Sequence, residues 1–286
     1  MSLTPLLTAR EHGALLAARH AGAVTLECSL DLDRSISAVG VGEREWSWDG
    51  RAFPYPEICK SRTIYYWSGA AFEPAARYTS ALFKLVPTDW GPPTFEIDGI
   101  KMLSTAKVSP YADAECKVAL IEPRGKVILD TCGGLGYFAA WCLRGGAARV
   151  LSFEKHADVI WLRGLNPWSP DSPWAPDTGT ALQLTQGDIT AEIARIPDGS
   201  MDAILHDPPR FSIAGDLYSQ NFYDQLARVL RQGGSLFHYT GAPNSVSRGR
   251  KLASEVAARL CRAGFAAEFN GDGILASKRS RVAQRG

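Results

Sequence analysis

Apolar and polar positions change rhythm along this 286-residue chain. Residues 6–20 set Leu6, Leu7, Leu15 and Leu16 among Arg10, Glu11 and Arg19, a spacing that predicts one amphipathic helix. Residues 24–30, 36–41 and 45–48 are short, partly alternating runs broken by Gly40, Gly42, Asp49 and Gly50, which predicts a small antiparallel β unit. Residues 53–95 then crowd ten aromatic residues among six prolines, so they cannot form one long helix. A strand, a loop and a helix near 113–120 follow, and Pro123 and Gly125 punctuate the entry to another pattern.

From Lys126 onward the rhythm is strand, helix, strand. Strands are expected at 127–131, 149–153, 181–185, 202–206 and 234–239, with one or two more near 265–276. Helices fit at 136–144, 157–164, 189–195, 219–231 and 247–263. That alternation predicts an α/β domain at 123–286, a doubly wound and mostly parallel sheet. An aromatic-rich α+β cap at 1–122 precedes it. Residues 167–179 hold four prolines and two tryptophans and read as a surface loop, while the basic residues 278–286 read as a solvated tail.

Composition narrows the picture without naming a function. The net charge of +1 demands neither a nucleic acid nor a membrane partner. No apolar run approaches the roughly 20 residues of a membrane span, and the first residues lack the pattern of a secretion signal. Six scattered cysteines without a C-x-x-C pair read as reduced thiols of a cytoplasmic protein, with no metal site.

The candidate chemistry begins at 127–142, where an apolar strand reaches Asp130 and turns through Cys132, Gly133, Gly134 and Gly136 into a helix. Such a turn lets backbone N–H groups approach a ligand. The glycines alone fit a dinucleotide site equally well. Glu154 ends the next strand, placed to accept both hydroxyls of a ribose. Asp188, after Gly187, suits either the amine of an adenine or the N-cap of a following helix. A third strand delivers His206 and Asp207 to its carboxyl end, where Pro208 and Pro209 stiffen the chain. A nicotinamide dehydrogenase has no use for that acid and its two prolines.

Taken in order, Asp130-Thr-Cys-Gly-Gly-Leu-Gly136, Glu154, Gly187-Asp188, Asp207-Pro-Pro209 and Gly233-Gly234 resemble the motifs of class I S-adenosylmethionine-dependent methyltransferases over about residues 120–275. The finer runs Asp130–Tyr137, Leu165-Asn-Pro-Trp-Ser169 and 206–212 look like a group of predicted methyltransferases known mainly from archaea. The resemblance implies a Rossmann-like fold with S-adenosyl-L-methionine bound by Asp130, Cys132, Gly133, Gly134, Gly136, Glu154, Lys155, Asp188, Ile189 and Asp207. Asp207 would stand near the reacting end. Amino methyltransferases usually place an aromatic residue directly after Asp-Pro-Pro; here Arg210 holds that place, which counts against a stacked nucleic-acid base.

Around that core, Arg210 reads as a partner for a carboxylate, of a ligand or of Asp216. His206 reads as a packed histidine or a base, and Tyr239 as a pocket residue. Tyr65, Tyr66, Trp67 and Tyr78 read either as packing within the cap or as an aromatic wall around a sulfonium. Transfer of a methyl group to a small molecule is the default expectation. Two alternatives stay open: non-methyl chemistry on the cofactor itself, as in azetidine-2-carboxylate synthases or carboxyaminopropyl transfer, and a non-catalytic RNA-binding or scaffold role. A small-molecule partner is expected, with no membrane or nucleic-acid partner, and a homodimer is the assembly to look for.

Overall fold

The computed structural model describes residues 3–173, 175, 177–211, 213–241 and 248–279. The chain divides into two compact units, Met1–Asp113 with Asp158–Asp177, and Ala114–Ala157 with Thr178–Gly286.

In the first unit the expected opening helix is shorter, because Leu6–Leu7 forms a strand with Tyr65–Trp67. The helix runs Ala9–His20 and starts at Thr8, whose side chain accepts from Arg10 N while Glu11 reaches back to the Thr8 backbone. Strands Thr25–Cys28, Ser37–Val41, Glu45–Trp48 and Arg51–Pro54 pair antiparallel, as the alternation predicts, with one strand more than expected. A second antiparallel sheet joins Ala76–Tyr78, Leu82–Val86, Thr94–Ile97 and Ile100–Lys101. Leu7 and Leu15 join Val39, Trp46 and Phe53 of the 25–54 sheet in a buried core.

The second unit holds a seven-stranded sheet. Its strands are β1 (Val127–Asp130), β2 (Arg149–Glu154), β3 (Leu182–Gln186), β4 (Met201–His206), β5 (Leu230–Tyr239), β6 (Phe265–Asn270) and β7 (Gly273–Lys278). They lie in the order β3-β2-β1-β4-β5-β7-β6. The first five pair in parallel, and β7 is antiparallel to both neighbours. The connecting helices are α1 (Tyr137–Arg144), α2 (Ile189–Glu192), α3 (Gln220–Val229) and α4 (Arg248–Arg262). Ser219 caps α3 by accepting from Phe222 N. Strand order reverses at β1 and β4, so the carboxyl ends of those two strands border the crevice where such sheets take ligands.

Three expectations need correction. The boundary near 122 was too simple, since Asp158–Asp177 belongs to the first unit. Its bonds explain why: Arg34 donates to the Pro167 carbonyl (2.5 Å), Trp168 Nε1 to the Leu32 carbonyl (2.9 Å) and Thr79 to Asp158 (2.7 Å). The described part of residues 167–179 is accordingly not wholly on the surface, and residues 174 and 176 lie outside the described residues. Asn166, Ser169 and Ser172 are buried, and Asn166 donates to Ser169 Oγ. The tail begins later than drawn, because Lys278 ends β7 and donates to the Leu230 carbonyl. Residues 280–286 of the tail, and residue 247 of the last expected helix, lie outside the described residues. Within them no helix is long and apolar enough to cross a membrane, and all six cysteines are free.

Arg163 is fully buried and pairs with Asp171 at 2.7 Å, which fastens the inserted segment. Asp171 itself is exposed, so the pair is screened on one side. Asp171→Ala is therefore expected to cost about 1–3 kcal/mol in chemical denaturation, the cost of a lost hydrogen bond to a buried charged group; a loss below about 0.5 kcal/mol would show the pair to be dispensable.

Candidate active site

Backbone geometry sets the site before any side chain does. Gly133 N donates to the Phe153 carbonyl at 2.7 Å, drawing the turn after β1 against the end of β2. Gly134 and Gly136 take φ of 48° and 79°, the left-handed region where a Cβ is disfavoured. Glu154 closes this turn: one carboxylate oxygen accepts from Gly134 N (3.0 Å) and the other from His156 N (2.9 Å).

Asp130 is buried and accepts from Ser152 Oγ at 2.8 Å. Asp207 is half-buried, one residue beyond β4. Cys132 lies amid all three acids: burial pushes its thiol well up, and the charges of Glu154, Asp130 and Asp207 push it further. Tyr218 joins from the one-turn helix Gly215–Tyr218, its phenol raised first by burial and next by the charge of Asp207. Its hydroxyl donates to the Pro209 carbonyl (3.0 Å), so the rigid loop after Asp207 is held from the side.

The other expected residues fall out unevenly. Asp188 caps α2 by accepting from Thr190 N and pairs with exposed Lys155 at 2.9 Å. Burial alone would raise its carboxyl, yet the Lys155 and Thr190 hydrogen bonds bring it below the ordinary value. Ile189 is buried in the core of this unit. Tyr239 ends β5, where the pairing of His206 with His238 makes it the neighbour of Asp207, and Lys117 Nζ lies 3.9 Å over its ring. Arg210 and Phe211 are exposed, and among the described residues no ion pair joins Arg210 to Asp216. His206 is wholly buried, as a packed residue.

Within the first unit, Tyr65 is buried in the aromatic core and Trp67 sets its ring edge against Phe53. Tyr66 meets Trp161 edge-on at 5.7 Å, and Tyr78 is 79% exposed. Thr131, Tyr218 and Lys117 carried no signal in the sequence. Their roles come from where β1, the one-turn helix and the helix Pro110–Ala119 place them.

The sequence is 41% identical to an uncharacterized protein of the archaeon Methanocaldococcus jannaschii over 203 residues, 71% of this chain and 68% of that protein. A family model described as S-adenosyl-L-methionine-dependent methyltransferase matches residues 171–268. The chain belongs to this methyltransferase family. A spermidine synthase solved with the transition-state analogue AdoDATO shares the fold at a TM-score of 0.55 (18% identity, 71% of this chain and 72% of that one). MNMC2 from Aquifex aeolicus does so at 0.50 (18% identity, 71% and 73%).

The methyltransferase site fits its cofactor, S-adenosyl-L-methionine. The negative charge of Asp130, Glu154 and Asp207 beside the turn favours a cation, which the sulfonium is. Glu154→Ala removes the fixed hydrogen-bond acceptor, and calorimetry should show S-adenosylhomocysteine binding weakened by about 1–3 kcal/mol. Unchanged affinity would remove Glu154 from the site.

The buried imidazoles give the unit a pH dependence. Burial lowers His206 well below its ordinary value and His238 to about 4. Unfolded chains take up these protons near pH 6.5 and the folded protein does not, so stability is full above that pH and falls as pH drops from 6.5 towards 4. In His238→Gln the slope of unfolding free energy between pH 6 and 5 should flatten by about 1.4 kcal/mol per pH unit. An unchanged slope would mean that His238 titrates normally.

Proposed function

We propose that this methyltransferase methylates a nitrogen nucleophile on a small molecule, with Asp207 as the group that orients the acceptor and takes its proton. The carrying observation is the place of Asp207: one residue past β4, on a loop stiffened by two prolines and held by Tyr218, in the same field as Cys132. Bound S-adenosyl-L-methionine supplies an activated methyl group. What remains for the protein is to hold, orient and exclude water.

Asp207 accepts a hydrogen bond from the acceptor's N–H and keeps the proton once the nitrogen has gained its methyl group. Asp130 and Glu154 add negative charge that favours the sulfonium in place. Tyr239, beside Asp207 and under the Lys117 ammonium, closes the far side of the acceptor position. A small acceptor agrees with the even net charge and with Arg210 standing where a base-stacking aromatic residue would be. Exposed Arg210 is suited to an anionic group on that acceptor.

The test is product analysis with labelled S-adenosyl-L-methionine and a pool of small amines and amino acids. S-adenosylhomocysteine and an N-methylated product are expected, and Asp207→Asn should slow their formation at least tenfold, about 1.4 kcal/mol of barrier, with little change in melting temperature. Release of methylthioadenosine instead would transfer the reading to chemistry at another carbon of the cofactor. Collapse of stability in Asp207→Asn would make the residue structural.

A further inference from the structure

Below the glycine turn, polar side chains fill a position that apolar ones would fill at less cost. His206, the last residue of β4, and His238, on β5, are paired in register, both wholly buried, with ring centres 4.4 Å apart. His206 Nδ1 is 2.7 Å from Thr131 Oγ1 and its Nε2 is 3.1 Å from the Leu217 carbonyl. A carbonyl only accepts, so Nε2 carries the hydrogen. The groups that face the ring are a hydroxyl, a carbonyl, the aromatic rings of Phe222 and Tyr223, and a second imidazole, none of them a counter-charge for an imidazolium. His206 is thus the neutral Nε2–H tautomer, and Nδ1 accepts from Thr131.

His238 is fixed in the same way. Its Nδ1 donates to the Tyr239 carbonyl (2.8 Å), and its Nε2 accepts from the Tyr223 hydroxyl (3.0 Å). Tyr218 packs on the His238 ring at 5.6 Å. The same chain of contacts touches both halves of the site. Thr131 lies between Asp130 and Cys132 in the glycine turn, and His206 directly precedes Asp207. Leu217, which accepts from His206, adjoins Tyr218, which holds Pro209.

We propose that His206 is a positioning residue: through Thr131 on one side and Leu217 on the other, it fixes the cofactor turn and the Asp207 loop in one register. The proposal rests on the reading of 207–210 as the acceptor loop, but its readout does not. A leucine at 206 would fill the space but lose both side-chain bonds, leaving Thr131 tied to β4 through the Leu205 carbonyl.

The test uses S-adenosylhomocysteine as the probe. Thr131→Val keeps the shape and removes the hydroxyl; it should weaken binding about tenfold, while Thr131→Ser restores binding to within about threefold. Nitrogen NMR of the wild type at pH 7 should show His206 protonated at Nε2 alone, with Nδ1 hydrogen-bonded. In Thr131→Val the Nδ1 resonance should shift towards that of a free acceptor nitrogen, and His238 should not change. If Thr131→Val does not fold, two amides decide. His206→Asn keeps an acceptor near Nδ1 and should retain binding, whereas His206→Gln, whose amide sits at the Nε2 position, should lose it. Wild-type affinity in Thr131→Val, an imidazolium or an Nδ1–H tautomer at His206, or the reverse order of the two amides would overturn the proposal. Because cofactor affinity is the readout, failure of Asp207 in catalysis leaves this result standing, and failure here leaves Asp207 standing.

Discussion

Three acids, Asp130, Glu154 and Asp207, have to be held at the carboxyl ends of neighbouring strands of one sheet, and much of the second unit is arranged to do so. Asp130 is fixed by a serine on the neighbouring strand, and Glu154 by two backbone N–H groups. Asp207 lies one residue beyond the end of β4. Prolines stiffen its loop, Tyr218 holds the loop's carbonyl, and buried His206 anchors the residue before it.

Parallel pairing makes that arrangement possible. In register, Asp130 stands beside Ser152 on one flank and Leu205 on the other, so β2 and β4 deliver Glu154 and Asp207 to the same edge. A slip of one residue on either strand would turn the delivered side chains to the opposite faces. Largely buried, apolar stretches such as Ile128-Leu129 and Ala203-Ile-Leu205 fix the register through burial on both faces.

Those runs also explain why the second unit was legible in the sequence. Strands buried on both faces read as unbroken apolar segments, and all seven lie within a few residues of their expected places, β5 starting four residues early. Glycines 133, 134 and 136 and the acids after β1, β2 and β4 could be found because their chemistry requires those residue types at strand ends. Longer-range contacts left no local trace. The sequence offers no sign that Trp168 donates to Leu32, so its β-α rhythm alone assigns residues 158–177 to the second unit. Thr131 and Tyr218 look ordinary in sequence, and become informative only once β1 lies against β4. The aromatic residues at 65–67 could be assigned to packing or to a ligand wall, and in the first unit Tyr65 and Trp67 lie in the aromatic core while Tyr66 packs on Trp161.

A crystal structure with S-adenosylhomocysteine bound tests the central claim most directly. The ribose hydroxyls should meet the Glu154 carboxylate, with the homocysteine end lying between the 133–136 turn and Asp207. A ligand held elsewhere, or one bound here with Glu154 untouched and Asp207 turned away, would contradict the account.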